Sequence, residues 1–406
     1  MRTPDLEILL KRHGFPLYVY DRKAISGRIA RLRDIFSGFD ILYSMKCNSN
    51  REICRHMTDC GAGIDAASKN EVLTAHALGV PREKILFSAP GKSDDDLRET
   101  LDKCLIIADS YTELQRIDAI CASRNMTCAV GLRVNPDFSY GPGPCPAMRP
   151  GLPDKFGEDE EGLPAHRDFL HRLEHARPTG IHVHARSQVL SADALGRCFE
   201  HVARLARVWN HGLGMPLEFI DFGGGLGIPY AGEMRSLNME RLCGHLAGLL
   251  RLIPQDGPVP ARRYVESGRF LVGDAGVFVT RIVDIKRSRG KTFVIAAGLL
   301  NHFLRPAIAG LFEALPLEPA YAGPCEPLWS GRGTYVPKAL GLPAPAEIVT
   351  ICGNLCTGMD TVARDVVLEN AVVGNMLIFE NAGAYAAALS PHGFSNHPEA
   401  GEFLCG

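Results

Sequence analysis

The run DILYSMKC, residues 40–47, is the first of eight short β-rich runs, and this series decides the fold. Amphipathic segments with helical spacing separate the runs, and several of them end at glycine, which favours helix termination. Such alternation predicts a (β/α)₈ barrel of the TIM type, although an open doubly wound sheet has the same alternation and stays as an alternative. The other runs are GIDAA (63–67), KILFSA (84–89), CLIIAD (104–109), CAVGLRVN (128–135), TGIHVHA (179–185), LEFIDF (217–222) and RRYVES (262–267).

The pattern changes after residue 266, where strand-like runs continue with few helical segments between them. This change predicts an α/β protein with a second, mostly β domain. We expect the barrel to span residues 22–272 and the β domain to combine residues 1–21 with 273–406. The N-terminal run PLYVY (16–20) is the strand expected to join the β domain.

Composition narrows the function classes. The net charge is −2 and the pI is about 6.7, so no basic surface for nucleic acid or an anionic membrane is indicated. None of the 13 cysteines forms a CxxC pair, and neither a secretory signal nor an apolar run of membrane-spanning length is visible. We therefore expect a cytoplasmic protein that acts on a small molecule.

Chemistry in such a barrel collects at the carboxyl ends of the strands. Lys46, Asp65, His184 and Glu266 stand at or near the ends of four predicted strands. The lysine is either a solvated strand terminus or an amine held inside a pocket, and the other three residues favour the pocket.

Two glycine-rich turns follow the last two predicted strands. DFGGGLGIPY (221–230) brings Gly224 and Gly225, and ESGR (266–269) brings Gly268 and Arg269. Backbone amides without a Cβ in the way suit an anion such as phosphate, whereas the spacing of a dinucleotide-binding GxGxxG motif is not met. An amine, a phosphate site and a carboxylate together suit pyridoxal phosphate, because a lysine amine forms a Schiff base with its aldehyde.

Seven motifs in order resemble the alanine-racemase-fold pyridoxal-phosphate decarboxylases, the group of diaminopimelate and ornithine decarboxylases. They are YSMKCNSN, IDAAS, HVHARSQ, DFGGGLG, ESGR, CGNLCTGMD and ENAGAY, and they cover nearly the whole chain. The resemblance implies that Lys46 carries the Schiff base with Asp65 nearby, that His184 stacks on the pyridine ring, and that Glu266 pairs with the ring nitrogen. It implies that the phosphate is held by Ser187, Gly224, Gly225, Gly268, Arg269 and Tyr385.

The resemblance also implies a head-to-tail homodimer with shared active sites. Cys356 matches the cysteine that crosses the subunit interface and handles the proton after carbon dioxide leaves. By the same resemblance, the β domain contributes Cys356 and Tyr385. No metal is implied.

Three positions depart from the family pattern, and one of them, Thr357, bears on the substrate. Arg186 stands where glycine is usual, and Ser267 where proline is usual. Thr357 replaces the acid that meets a distal amine in this family, while Arg305 resembles the arginine that binds a distal carboxylate. These features favour an amino acid with a carboxylate-rich tail and no free distal amine, as in a siderophore-biosynthesis subgroup that decarboxylates citryl-diaminopropionate-type compounds. Asp360 either orients that substrate or stabilises a turn.

Other functions stay open at this point. The first is meso-diaminopimelate decarboxylation in lysine biosynthesis. An amino-acid racemase and a non-catalytic pyridoxal-phosphate regulator share the fold. His182 and His184, two residues apart, would also suit a metal-dependent amidohydrolase, which needs more ligands such as Asp221. Finally, residues 141–157 contain nine Gly or Pro in seventeen positions, which is typical of a functional lid or a disordered loop, and whether 137–166 closes over the site stays open.

Overall fold

The computed structural model describes residues 3–138, 154–230, 234–254, 260–314 and 335–406. In chain order, the strands are β1 (Leu17–Asp21), β2 (Asp40–Ser44), β3 (Gly63–Ala66), β4 (Ile85–Phe87), β5 (Leu105–Ala108), β6 (Cys128–Asn135), β7 (Glu158–Asp159), β8 (Ala176–His182), β9 (Phe219–Asp221), β10 (Arg262–Ser267), β11 (Gly276–Ser288), β12 (Lys291–Ala296), β13 (Lys338–Leu340), β14 (Glu347–Cys352), β15 (Thr361–Leu368), β16 (Met376–Phe379) and β17 (Gly401–Cys405).

The α-helices are, in chain order, α1 (Thr3–His13), α2 (Arg22–Ile35), α3 (Arg51–Asp59), α4 (Lys69–Ala77), α5 (Asp94–Thr100), α6 (Tyr111–Ser123), α7 (Arg167–His171), α8 (Ala192–Arg207), α9 (Met239–Leu249), α10 (Arg269–Val272) and α11 (Leu304–Ala314).

Eight parallel strands close into a barrel. The order is β5-β4-β3-β2-β10-β9-β8-β6, and β6 pairs with β5 to complete the ring. The predicted (β/α)₈ barrel is therefore confirmed, and the open doubly wound sheet is wrong. One strand is displaced from its prediction: β8 begins at Ala176 and ends at His182, so His184 lies in the loop beyond it.

The lower part of the barrel interior is filled by one aromatic ring. Phe219 packs with Leu42, Leu86, Ile107 and Tyr264 in a buried apolar cluster. The neighbouring strands carry glycine where this ring lies: a Cβ added at position 131 would lie 2.8 Å from the ring, and one at position 180 would lie 2.5 Å from it. Glycine thus provides the space for a large side chain in a closed, layered core.

Serine residues start several helices directly after the strands. Ser68 and Ser110 each accept a hydrogen bond from the amide of the glutamate three residues later. Ser93 and Asp96 form a reciprocal capping box at the start of α5. These caps satisfy amides that a helix start leaves unpaired, and they fix each helix close to the carboxyl end of the preceding strand.

A second sheet contains the strands outside the barrel, in the order β13-β16-β11-β12-β14-β15. β1 pairs with β11 and also with β17, so the N-terminal strand joins this sheet as predicted. The mostly β second domain is thereby confirmed, while its boundaries at residues 22 and 272 stay a prediction. Within the described ranges, no helix combines the length and apolar character needed to cross a membrane.

The segment 137–166, which is either a lid or a loop without that role, lies partly outside the described residues, which omit 139–153. Its described end forms β7, which pairs with β6, and a 3₁₀ turn over Glu160–His166. A closing motion of this segment stays a hypothesis.

Candidate active site

A cavity of about 570 Å³ opens where the barrel strands end at their carboxyl termini. A smaller recess of about 50 Å³ adjoins it. Five predicted site residues line both spaces: Lys46, His184, Ser187, Glu266 and Tyr385. The structure therefore brings together side chains from distant parts of the sequence at the mouth predicted for them.

Lys46 lies in a 3₁₀ turn over Met45–Cys47, immediately after β2. Its Nζ is 2.7 Å from Oδ2 of Asp65, which is fully buried and whose other oxygen accepts a hydrogen bond of 2.8 Å from the Ser88 hydroxyl. Burial lowers the pKa of Lys46, but the carboxylates of Asp65 and Glu266 outweigh burial and raise that pKa well above its ordinary value. The two carboxylates hold the amine as an ammonium ion, and the contact with Asp65 fixes its position.

Glu266 is a buried carboxylate fixed by two histidines. Its Oε1 lies 3.1 Å from Nε2 of His182, and its Oε2 lies 3.2 Å from Nδ1 of His184. Burial alone would raise the pKa of Glu266, but the two histidines and Lys46 hold it well below its ordinary value. The site therefore contains a buried negative charge suited to pairing with a positively charged ring nitrogen.

Asp221 adds a second acid behind this carboxylate. Burial, and then the charge of Glu266, raise the pKa of Asp221 well above its ordinary value. His182, Asp221 and Glu266 offer ligand atoms within 4.8 Å of one another, which is the grouping that the amidohydrolase alternative requires. His182 and Glu266 already bond to each other, however, and that bond orients the carboxylate toward the cavity.

The recess is built from glycine turns whose backbones pack closely. Gly225 has a φ of +102°, and a Cβ there would lie 2.2 Å from the carbonyl oxygen of Arg186. A Cβ at Gly224 would lie 2.3 Å from the carbonyl oxygen of Glu266, and one at Gly268 would lie 2.9 Å from the Cys47 sulfur. These contacts admit no side chain, so the backbone itself lines the recess.

A buried cation completes the recess. Arg269 is 3% exposed, and its guanidinium carbon lies 4.8 Å from the ring centre of Tyr385. Ser187 lines the same space. A glycine cradle beside a buried arginine fits a phosphate group, and an amine with a buried carboxylate fits the aldehyde and ring nitrogen of the cofactor. The residues present therefore fit pyridoxal phosphate.

The predicted substrate residues lie apart from this cluster. Cys356 is exposed and Thr357 half-buried, in the loop between β14 and β15. Neither is among the described residues that line the cavity. Asp360 is 2% exposed, and its two oxygens accept hydrogen bonds of 2.9 Å from the amides of Leu300 and Leu355. Those bonds favour the turn-stabilising alternative for Asp360 over contact with substrate.

Arg305 is fully buried, and it donates hydrogen bonds to the Tyr230 hydroxyl and the Asn381 carbonyl. Arg186 lines the larger cavity and is not among the residues that line the recess, although its carbonyl packs against Gly225 there. It adopts no positive φ, so this position does not require the glycine that is usual in the family.

Several residues that line the cavity were not predicted from the sequence. Arg133 on β6 and Lys155 beyond it both line the cavity, and Phe156 lies against the Arg133 guanidinium with 4.3 Å between the guanidinium carbon and the ring centre. The only signal in the sequence is the arginine inside the otherwise apolar run CAVGLRVN. A charged residue there is unusual enough to mark a functional position.

Comparison with known proteins gives a consistent answer. Residues 22–273 match the family model for the pyridoxal-binding domain of pyridoxal-dependent decarboxylases. An L-glutamyl-[BtrI acyl-carrier protein] decarboxylase from Niallia circulans is 30% identical over 98% of this chain and 91% of its own. A diaminopimelate decarboxylase from Methanothermobacter thermautotrophicus is 32% identical over 98% of this chain and 89% of its own. A 2-[(L-alanin-3-ylcarbamoyl)methyl]-2-hydroxybutanedioate decarboxylase from Staphylococcus aureus is 27% identical over 96% of this chain and 94% of its own.

These relatives confirm the predicted cofactor and enzyme class. The racemase, the amidohydrolase and the non-catalytic regulator find no support among them. The similarity covers the barrel and the second domain alike. The chain therefore belongs to the pyridoxal-dependent decarboxylases, and it is a carboxy-lyase that acts on an amino acid with pyridoxal phosphate as its cofactor.

Proposed function

We propose that the substrate is an α-amino acid with a carboxylate-rich side chain and no free distal amine. The observation that carries this proposal is the charge of the cavity lining. Lys46 and Glu266 are accounted for by the cofactor, and the remaining charged residues in the lining are Arg133, Lys155 and Arg186 against one acid, Asp154. An excess of cations in a partly enclosed space favours an anionic substrate.

The loop that carries Thr357 supports the same substrate class. In the family that the chain resembles, an acid at this position meets a distal ammonium group. Thr357 carries no charge, and its hydroxyl accepts a hydrogen bond of 3.2 Å from the amide of Met359, so it stabilises its own turn. A site that lacks a counter-charge discriminates against a buried ammonium group.

The names of two relatives bear on this class, and only the second describes a carboxylate-rich tail. One acts on an L-glutamyl group carried by a protein, and the other acts on a hydroxybutanedioate joined to alanine through a carbamoyl group. Neither name contains a free distal amine. We place the present enzyme with the second type, the siderophore-type substrates, because its cavity offers cations for several carboxylates.

meso-Diaminopimelate is the second candidate. The relative with that activity is 32% identical to this chain. Buried Arg305, predicted to bind the distal carboxylate, would serve both candidates equally. Thr357 separates them, because only diaminopimelate brings a distal amine to that position.

We propose the following roles for the chain's own residues. Lys46, positioned by Asp65, binds the cofactor aldehyde, Glu266 holds a proton on the ring nitrogen, and His184 lies against the ring. When bound, the cofactor supplies an electron-withdrawing ring that stabilises negative charge at the substrate Cα. The phosphate is held by Ser187, Gly224, Gly225, Gly268, Arg269 and Tyr385.

The subunit arrangement is part of the proposal. Cys356 is exposed and lies outside the described cavity lining, so we propose that a second copy brings it into the site in a head-to-tail homodimer. There the Cys356 thiol returns a proton to Cα. We also propose the domain division at residues 22 and 272 and a cytoplasmic location.

Carbon dioxide release by the pyridoxal-phosphate-loaded enzyme tests the substrate. The panel contains a citryl-diaminopropionate-type amino acid, meso-diaminopimelate, ornithine and lysine. We expect kcat/KM for the first compound to exceed that for the others by at least about 100-fold, since an unpaired buried charge costs about 3 kcal/mol or more. Comparable or faster turnover of meso-diaminopimelate would contradict the proposal and establish the second candidate.

A further inference from the structure

Two buried arginines donate hydrogen bonds to a single phenol oxygen. Nη1 of Arg269 lies 2.6 Å from Oη of Tyr230, and Nη1 of Arg305 lies 3.0 Å from the same atom. The three residues are 3%, 0% and 4% exposed, in the order Arg269, Arg305, Tyr230. A phenol oxygen accepts two hydrogen bonds at most, so the two guanidinium groups use its full acceptor capacity.

The two arginines belong to different elements and have different proposed roles. Arg269 begins α10 and lines the small recess proposed for the cofactor phosphate. Arg305, in α11, is the residue proposed to bind the distal carboxylate of the substrate, and its Nη2 donates a hydrogen bond of 2.8 Å to the carbonyl of Asn381. The loop from Asn381 leads to Tyr385, whose amide bonds to the Cys47 carbonyl at 2.7 Å, next to the Schiff-base lysine.

The surroundings of the buried Arg305 guanidinium show why this shared contact matters. Among the described residues, the groups that act on the charge of Arg305 are Tyr335, Tyr230 and Arg269, and its Nε is buried without a hydrogen-bond partner there. A buried guanidinium is costly unless it is hydrogen-bonded, so the Tyr230 oxygen matters to both cations. That oxygen lies between the two guanidinium groups and fixes their separation.

We propose that Tyr230 is a positioning residue, whose hydroxyl holds the phosphate-binding and the tail-binding arginine in register with each other. One oxygen atom then contributes both to cofactor retention and to substrate affinity. This inference rests on the proposed function, because it takes Arg269 as a phosphate ligand and Arg305 as a ligand of the substrate carboxylate.

Tyr230→Phe tests the inference, because it removes the oxygen and keeps the ring. We expect the affinity of the apoenzyme for pyridoxal phosphate to fall about tenfold, which corresponds to one hydrogen bond to a charged group. Affinity for pyridoxal, which lacks the phosphate, should be unchanged. The KM for the best substrate of the panel should rise about tenfold, with kcat reduced less than KM is raised.

Tyr335→Phe is the matched control. The ring centre of Tyr335 lies 5.5 Å from the guanidinium carbon of Arg305, and the ring centre of Tyr230 lies 5.2 Å from the same atom. Its buried hydroxyl, however, has no hydrogen-bond partner among the described residues. We expect this variant to change the affinity for pyridoxal phosphate and the affinity for pyridoxal by less than about twofold each. Both affinities are measured by absorbance titration of the bound chromophore.

A third variant, Arg269→Gln, separates failure of the inference from failure of the proposed function. If Arg269→Gln loses affinity for pyridoxal phosphate and Tyr230→Phe does not, the positioning role is wrong and the proposed phosphate site stands. If both variants keep full affinity for pyridoxal phosphate, the phosphate assignment is wrong, and so is the inference that rests on it. Equal losses of affinity for pyridoxal phosphate and for pyridoxal in Tyr230→Phe would also overturn the inference. An unchanged KM for the substrate in this variant would do the same.

Discussion

The two ends of the proposed active site differ in how complete they are within one chain. At the cofactor end, Lys46, Asp65 and Glu266 are buried or half-buried and held by short contacts with one another and with histidines. At the substrate end, Cys356 and Thr357 lie on a partly exposed loop outside the described cavity lining. The cofactor end is complete within one chain, with Tyr385 of the β domain beside the barrel residues, whereas the substrate end is proposed to need a second subunit.

The difference follows from where the residues of each end lie in the fold. Barrel strands end together at one mouth, so residues that follow them meet without help from another chain. The loop between β14 and β15 is fixed instead by its own bonds, including those of Asp360 to the amides of Leu300 and Leu355. It is an ordered loop that presents its side chains outward, as expected for a surface that completes a neighbouring site.

The largest effect is expected for Lys46→Ala. Loss of the amine that binds the cofactor aldehyde should lower carbon dioxide release by about 10³-fold or more. Borohydride reduction followed by peptide mass analysis should also find no label at this position. The control is Lys69→Ala, which removes an exposed lysine paired with Glu99 and should keep activity and labelling. Substantial turnover by Lys46→Ala would contradict the preformed cofactor end.

Glu266→Gln should have the next largest effect. An uncharged amide no longer favours a protonated ring nitrogen, so kcat should fall by about 10²-fold while the volume of the side chain is kept. Asp193, an exposed acid beside Arg241, provides the matched control as Asp193→Asn. A loss limited to cofactor affinity, with kcat intact, would show that the carboxylate only helps to bind the ring.

The same carboxylate predicts a pH dependence of stability. The folded-state pKa of Glu266 lies well below the ordinary 4.5, so the unfolded state binds more protons there in acid. Its stabilising contribution is therefore present at neutral pH, and it is lost as the pH falls from about 4.5 toward the folded value. Urea unfolding of the wild-type and Glu266→Gln apoproteins between pH 3 and 7 measures it. An equally steep loss of stability in the variant would refute this assignment.

A smaller and more selective effect is expected for Thr357→Asp. Aspartate can accept the same turn hydrogen bond from the Met359 amide, so the loop should keep its shape. The added charge should raise kcat/KM for meso-diaminopimelate about tenfold and lower it for the carboxylate-tailed substrate. Thr357→Ser, which adds no charge, is the control. An unchanged ratio between the two substrates would place the specificity elsewhere.

Arg186→Gly should have the smallest effect. The backbone has no need of glycine at this position, and the side chain lines the cavity rather than the recess. We expect KM for the carboxylate-tailed substrate to rise about threefold to tenfold, with unchanged affinity for pyridoxal phosphate. Arg186→Lys should recover part of the loss. A fall in cofactor affinity would instead assign Arg186 to the phosphate.

The barrel was predictable because its strands end at sharp sequence boundaries. The run CAVGLRVN coincides with β6 residue by residue. Alternation misplaced the end of β8, because His182 and His184 both approach Glu266 although only His182 belongs to the strand. In the second domain, β15 (TVARDVVL) mixes buried, half-buried and exposed positions and carries Arg364 and Asp365 inside the strand, so its sequence gives no simple strand pattern.

The site was predictable where one motif carries one role, and less so where distant residues meet. Lys46 and Asp65 stand in recognisable strand ends. The contact of Tyr230 with Arg269 and Arg305 spans 39 and 75 residues, and nothing in the local sequence indicates it. Arg133 gave a weak signal because its strand looks like an ordinary buried strand.

The central claim, that one chain builds the cofactor end and a second copy completes the substrate end, is tested most directly by mixing two inactive variants. Lys46→Ala and Cys356→Ala subunits are unfolded together, refolded as an equal mixture, and assayed for carbon dioxide release. Random pairing gives half hybrid dimers, each with one intact site of two, so about a quarter of wild-type activity should return. No recovery, from a mixture shown to contain hybrid dimers, would contradict the account and place Cys356 in the site of its own chain or outside the reaction.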